Sequence, residues 1–209
     1  MLDYSAEAAL IAELELSVPP AGVDEAGRGP VAGPVTAAAV ILDPEDVPAG
    51  LADSKTLSAA RRGELAAEIR RRSLAWAVAS ACPGEIARCN ILGAAFNAMG
   101  RALAALEPRP ALALVDGNRQ ERHRERLGVE ARFYIRGDGR LASIAAAGIL
   151  AKVGRDEVME RLDALYPGYG FAANKGYGRP ALEALRRLGP TPIHRWSWAA
   201  VQQTELLGD

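Results

Sequence analysis

Residues 21–42 read AGVDEAGRGPVAGPVTAAAVIL. Two adjacent carboxylates, Asp24 and Glu25, sit among apolar residues, and Gly27, Arg28 and Gly29 follow before a long apolar run. The spacing predicts a strand that carries the acids, a sharp turn beginning at Gly27 to Pro30, and a second strand returning beside the first. Apolar neighbours on both sides place the acids at least half inside the protein. A buried carboxylate is costly unless it is hydrogen-bonded, paired or bound to metal. The one basic residue close by in sequence is Arg28. A metal, or further acids converging from elsewhere, becomes the question for the rest of the chain.

The 209 residues suit one domain, here 1–209, with 166–209 as a C-terminal helical extension, and 49% hydrophobic residues can fill a large core. A net charge of −1 gives no bulk attraction for nucleic acid. Cys82 and Cys89 are not spaced as a C-x-x-C pair, so zinc or dithiol chemistry is not indicated; both are read as small apolar residues in a reducing compartment. The acidic start, with Asp3, Glu7, Glu13 and Glu15 before any basic residue, does not resemble a signal peptide. No stretch approaches the ~20 apolar residues of a membrane helix. A cytoplasmic, monomeric protein is expected.

Along the chain, 5–16 reads as a short amphipathic helix closed by Pro19 and Pro20. Residues 53–72 read as a loop and then a helix with Ser58 as N-cap, 74–81 as a third strand, and 85–106 as a helix. Short strands follow at 111–115 and 132–136, then helices at 141–165 and 181–188. Three early strands in hairpin style and two later ones alternating with helices give an α/β fold with a mixed sheet. The Arg- and Glu-rich segment 119–126 is read as a solvated surface.

Asp116 and Asp138 lie just past the last two strands. Ligands gather beyond the carboxyl ends of strands joined by crossover helices. If the strand of Asp24 neighbours that of Asp116, the carboxylates converge and repel, and divalent cations relieve that repulsion. Oxygen donors without nearby His or Cys indicate Mg²⁺ or Mn²⁺, and two such ions in a carboxylate cluster serve in-line displacement at a phosphodiester. An Asp before a Gly is, however, usually a turn residue. Adjacent strand residues also point to opposite faces, so Asp24 and Glu25 share a site only if the strand is bulged or ends there. The dinucleotide fingerprint, the P-loop and H-E-x-x-H are absent.

GVDEAGRGPVAGPVTAAAVIL, DSKTLS, NIL, VDGN, RGD, SIAAAGILAKVGRD, YPGYGFAANKGYG and HRWSW occur in this order. Together they resemble bacterial ribonuclease HII, of the type 2 ribonuclease H family, from about residue 21 to 198. The resemblance implies a ribonuclease H-like fold, a five-stranded mixed sheet flanked by helices with a C-terminal helical segment. It also implies hydrolysis of the RNA strand of RNA–DNA hybrids and cutting 5′ to single ribonucleotides in duplex DNA, leaving a 3′-hydroxyl and a 5′-phosphate. By resemblance Asp24, Glu25, Asp116 and Asp138 are the metal-binding acids. Gly27, Arg28 and Gly29 match the loop that contacts the 2′-hydroxyl and its neighbouring phosphate, and Tyr177 the tyrosine that packs on the sugar. A 2′-hydroxyl is what tells RNA from DNA, and glycines let backbone approach it. A catalytically silent hybrid-binding protein and a nuclease of DNA junctions are the competing readings.

The chain carries 22 arginines and 3 lysines, and the lysines all fall inside these motifs. Lys55 and Lys175 are the candidate phosphate contacts, with Lys152 weaker. Gly139 and Gly148 stand where serine is common in the family, Asn174 where histidine is common, and Trp196 and Trp198 where Arg and Phe are usual. None of these departures is expected to touch the four acids or Tyr177.

Overall fold

The computed structural model describes residues 2–118, 121–199 and 201–202, with 121 and 122 described by backbone alone. Five strands form one sheet: β1 (Ala21–Ala26), β2 (Val35–Ile41), β3 (Ala75–Ala81), β4 (Leu112–Asp116) and β5 (Glu130–Tyr134), in the order β3-β2-β1-β4-β5. β1 pairs antiparallel with β2, and β2 with β3; β1 pairs parallel with β4, and β4 with β5. The mixed sheet expected from the sequence is present. It sets the acid-bearing strand in the centre, directly beside β4.

Both sheet faces are covered, which explains why β2 is a continuous apolar run rather than an alternating one. Val35, Ala37, Ala39 and Ile41 pack with Ala21 and Val23 against α3 (Pro83–Ala104). Ala38 and Val40 face α2 (Ala59–Arg72) and α5 (Ala142–Leu165). Ser58 caps α2, its hydroxyl accepting from the Arg61 amide at 3.2 Å. Helix α3 is broken at Asn90, whose φ is 58°; its side chain accepts from the amides of Leu92 and Gly93 and starts the helix again. α5 lies so close on β1 that a Cβ at Gly22 would strike the Ser143 carbonyl.

The N-terminal helix α1 (Ser5–Glu13) is fastened by a buried acid. Glu7 Oε1 accepts from the Ser143 amide at 2.9 Å and from its hydroxyl at 3.0 Å, so α1 supplies the cap at the start of α5. Burial pushes the Glu7 carboxyl above its usual range. At the other end, α6 (Phe171–Asn174) and α7 (Gly178–Leu188) pack with Met159 of α5 on the β1–β2 connection through Val31 and Ala32. A short helix, α4 (Glu121–Arg124), precedes β5.

Three local expectations are corrected. β5 ends at Tyr134, not at 136, because Arg136 adopts φ 54° and turns the chain into a 3-10 turn at Gly137–Gly139. Asp116 is the last residue of β4 rather than the one beyond it. The β1–β2 connection is not a tight turn but an eight-residue loop, 27–34, whose middle pairs with the C-terminal segment: the Gly33 amide donates to Ile193 and the Arg195 amide to Val31, each at 2.8 Å. Within 119–126, Arg119 and Gln120 lie outside the described residues, while His123 is buried. Both cysteines are free thiols, and no helix among the described residues is long and apolar enough to cross a membrane.

Candidate active site

The parallel pairing of β1 with β4 brings Asp24 and Asp116 together at the carboxyl end of the sheet. Asp116 Oδ1 accepts from the Gly137 amide at 2.6 Å, which ties the end of β4 to the turn carrying Asp138. One oxygen from each of Asp24, Asp116 and Asp138 lies within 4.8 Å of the others. Asp24 is 6% and Asp138 8% exposed. Burial, then the charges of Glu25 and Asp116, push the Asp24 carboxyl well above the usual carboxylate range. Burial and Asp116 do the same, less strongly, to Asp138. The cluster is short of positive charge.

Glu25 does not belong to that group of three. The β1–β2 ladder runs without a bulge to Ala26↔Thr36, so alternate side chains take opposite faces. Asp24 falls on the α5 face and Glu25 on the α3 face, where it shares a recess with Leu92, Phe96 and Asp116. The strand ends one residue later, so Glu25 also lines the main cleft alongside Asp24. Its Oε1 accepts from Arg28 Nη1 at 3.2 Å. Burial raises the Glu25 carboxyl, and Arg28 offsets part of that.

The cleft has a volume of about 620 Å³ and is lined by Asp24, Glu25 and Asp116 together with Gly27, Arg28, Gly29 and Tyr177. Tyr177 is 42% exposed and stands beside Gly29. Lys55 reaches the cleft from the 53–58 loop, where Asp53 Oδ1 accepts the Lys55 amide at 2.9 Å and fixes the turn. Its Nζ lies 3.6 Å from Asp138 and 3.7 Å from Asp53. Partial burial works against its charge, but Asp53 and Asp138 prevail and hold it above its ordinary value. Lys152 also lines the cleft and pairs with Asp156 at 2.7 Å. Lys175 is not among the lining residues; its ammonium meets Glu160 at 2.7 Å.

One of the sequence departures does reach an acid, contrary to expectation. A Cβ at Gly148 would lie 2.5 Å from Asp24 Oδ2, so this glycine leaves the Asp24 carboxylate room against α5. The Asn174 side chain does not hydrogen-bond Tyr177: it accepts the Gly176 amide at 2.7 Å, and the 2.9 Å bond from the Tyr177 amide goes to the main-chain carbonyl that any residue here would offer. Two residues that the sequence did not single out stand behind the loop. Arg155 and Arg195 are both fully buried, and both donate to its carbonyls. Their signal was present, inside the AKVGRD and HRWSW stretches, but arginine is too common in this chain to mark them.

Converging carboxylates with no sulfur or imidazole donor beside them fit a hard divalent cation. A family model for ribonuclease HII matches residues 21–201. Ribonuclease HII of Caulobacter vibrioides (strain NA1000 / CB15N) is 55% identical over 185 residues, 88% of this chain and 86% of its own. Among solved structures, the ribonuclease H2 of Pyrococcus horikoshii OT3 aligns with a TM-score of 0.74 at 27% identity, covering 90% of this chain and 97% of that one. The ribonuclease HII of Archaeoglobus fulgidus, solved in a complex with PCNA, aligns with a TM-score of 0.70 at 28% identity, covering 86% and 94%. Sheet order, site position and these likenesses agree: the chain belongs to the ribonuclease HII family and is a ribonuclease H enzyme.

Proposed function

We propose that this enzyme hydrolyses the RNA strand of RNA–DNA hybrids and cuts 5′ to single ribonucleotides in duplex DNA, leaving a 3′-hydroxyl and a 5′-phosphate. The observation that carries this reading is the group of three aspartates, two of which, Asp24 and Asp116, line one cleft together with Gly27, Arg28, Gly29 and Tyr177. Asp24, Asp116 and Asp138 would hold Mg²⁺ or Mn²⁺, with Glu25 joining from the edge of β1. A pair of such ions, when bound, supplies an activated water and a counter-charge for the leaving 3′-oxygen.

The protein's own groups do the rest. The Gly27–Gly29 backbone reads the 2′-hydroxyl, which donates and accepts at once and is missing from DNA. Arg28, with 53% of its side chain exposed, answers the adjacent phosphate and holds Glu25 in place. Tyr177 packs on the sugar and fixes the strand against the acids. Lys55 contacts a phosphate near Asp138, and Lys175 is a more distant phosphate contact, reached if its ammonium leaves Glu160. The 166–209 segment serves as the substrate-binding extension.

The test is a DNA duplex carrying one ribonucleotide, an all-DNA duplex, and a long hybrid, each in Mg²⁺, Mn²⁺ or EDTA. Metal-dependent cutting of the first duplex only 5′ to the ribonucleotide, with the all-DNA duplex intact, is the expected result. Cutting of long hybrids alone would remove the single-ribonucleotide part. Cutting of the all-DNA duplex would favour a DNA nuclease, and inertness on all three substrates would overturn the reading.

A further inference from the structure

Arg155 and Arg195 are the two largest fully buried side chains of the described protein, and both are charged. A buried guanidinium is ordinarily matched by a carboxylate. Among the described residues neither forms such an ion pair; Asp156 lies within electrostatic reach of Arg155, but its carboxylate is taken by Lys152 at 2.7 Å. Both donate instead to main-chain carbonyls. Arg155 donates to Pro34 at 3.0 Å, Ala32 at 3.3 Å and Lys175 at 3.0 Å. Arg195 donates to Gly33 at 3.0 Å, Arg28 at 2.8 Å, Gly27 at 2.5 Å and Pro34 at 3.1 Å.

These carbonyls belong to the two stretches that would read the ribonucleotide, the 27–34 loop and the segment leading into Tyr177. The Arg155 guanidinium also stacks 5.2 Å from the centre of the Tyr177 ring, so one side chain clamps both stretches. Gly27, at φ +94°, makes room for it: a Cβ there would collide with Arg155 Nε. Burial works against both charged forms, and Arg155 adds repulsion to Arg195. Arg155 Nη1 is buried without a hydrogen-bond partner. Such an expensive arrangement is hard to explain by stability, since an apolar filling of the same volume would cost less.

We propose that Arg155 and Arg195 are positioning residues for ribonucleotide recognition: they bind the 27–34 loop and Tyr177 into one rigid reading head. The inference rests on the assignment of that loop and Tyr177 to the 2′-hydroxyl and sugar. Lysine at either position keeps the charge but loses the planar fork that spans several carbonyls.

The test is a double-mutant cycle in the full chain, pairing Arg155→Lys, and separately Arg195→Lys, with Tyr177→Ala, after circular dichroism has shown each variant folded. On the single-ribonucleotide duplex, each lysine variant is expected to lose about 10- to 100-fold in kcat/KM, mostly in kcat, because the reacting groups are misplaced rather than unbound. Adding Arg155→Lys to Tyr177→Ala is expected to cost little more than Tyr177→Ala alone. Full additivity, or no loss in the lysine variants, would overturn the inference while leaving the reading of Tyr177 intact. An unchanged rate in Tyr177→Ala would instead remove that reading and the inference with it. Should the lysine variants not fold, the unmodified protein in EDTA gives the answer. The Nε–H resonances of the buried arginines are expected to shift on adding the single-ribonucleotide duplex and not the all-DNA duplex. Equal shifts with both, or none, would overturn the inference.

Discussion

Two buried charged groups flank the β1–β2 connection, and the chain treats them in opposite ways. On one side Asp24 and Asp116 each accept a main-chain hydrogen bond, from the amides of Glu25 and Gly137, and their repulsion is left largely unanswered. On the other side Arg155 makes three hydrogen bonds to carbonyls and Arg195 four. The arginine side is well supplied with hydrogen bonds, Arg155 Nη1 excepted, and unfinished as charge; the acid side is unfinished in both. A group left unfinished inside a folded protein has its partner elsewhere. For the acids the fitting partner is a divalent cation, whereas the arginines, fully buried, act through the loop that they hold.

The largest effect expected is from breaking the acid side. Under the proposed function Asp24→Asn or Asp116→Asn should lower cleavage by about 10³-fold or more, since a neutral amide no longer draws in the ion. Stability should move the other way. Asp24→Asn removes a repelling charge, so its melting temperature in EDTA should equal or exceed that of the unmodified chain. Mn²⁺ is expected to raise the melting temperature of the unmodified chain and not that of the variant. A variant that melts well below the unmodified chain in EDTA would mean that Asp24 is a structural acid.

Glu7 is a third buried charge, and its partners are amide and hydroxyl. Glu7→Ala removes the cap at the start of α5 and strands Ser143, at a cost of about 2 kcal/mol. In a chain of this size that is a fall of roughly 4–8 °C in thermal melts. Unlike Asp24→Asn, it should cost stability with or without metal, which separates an acid that completes the fold from one that awaits a ligand.

His194 probes the arginine side. It is fully buried beside Tyr169 and Phe171, and its Nδ1 accepts the Thr191 amide at 3.0 Å, which leaves the proton on Nε2. Burial holds its pKa down at about 4, from an ordinary 6.5. Between those values the unfolded chain binds the extra proton and the folded one does not. The stability from His194 is therefore fully present above about pH 6.5 and is lost as pH falls towards 4. After solvent screening this is on the order of 2 kcal/mol. Melts across pH 4–7 should show that acid limb, and His194→Gln should flatten it. An acid limb unchanged in the variant would place its origin in other groups.

The convergence of Asp24, Asp116 and Asp138 was legible through the order of motifs, since residue type and position alone leave an Asp before a Gly as a turn residue. Asp116 and Asp138 gain their meaning from β1–β4 pairing, which the sequence left as a condition and the structure supplies. The arginine side could not be read in the same way. Its partners are carbonyls, which no sequence displays, and the Arg155 to Pro34 bond spans 121 residues. Glu7 was hidden likewise, since its partner Ser143 is 136 residues away and an acid on a terminal helix reads as solvated. The end of β5 was misplaced because Phe133, Tyr134 and Ile135 continue a strand-like pattern that the left-handed Arg136 terminates. Gly148 looked remote from the site because sequence does not reveal how closely α5 lies on Asp24.

Lys55 tests how far the protein itself offsets the acid side, and its effect should be the smallest. Its side chain is 77% exposed and its ammonium sits between Asp53 and Asp138, at distances long enough for the pair to loosen in solution. Removing it should hardly change stability. If it contacts a substrate phosphate, Lys55→Ala should raise KM by about three- to tenfold, hold kcat nearly constant, and reduce the salt dependence of duplex binding by about one counterion. If it serves instead to lower the repulsion around Asp138, the same variant should leave the salt dependence alone and change the Mg²⁺ concentration needed for half-maximal activity. Titrating salt at saturating metal, and then metal at fixed salt, separates the two. Only the first outcome leaves the three aspartates dependent on a bound cation rather than on a lysine for their counter-charge.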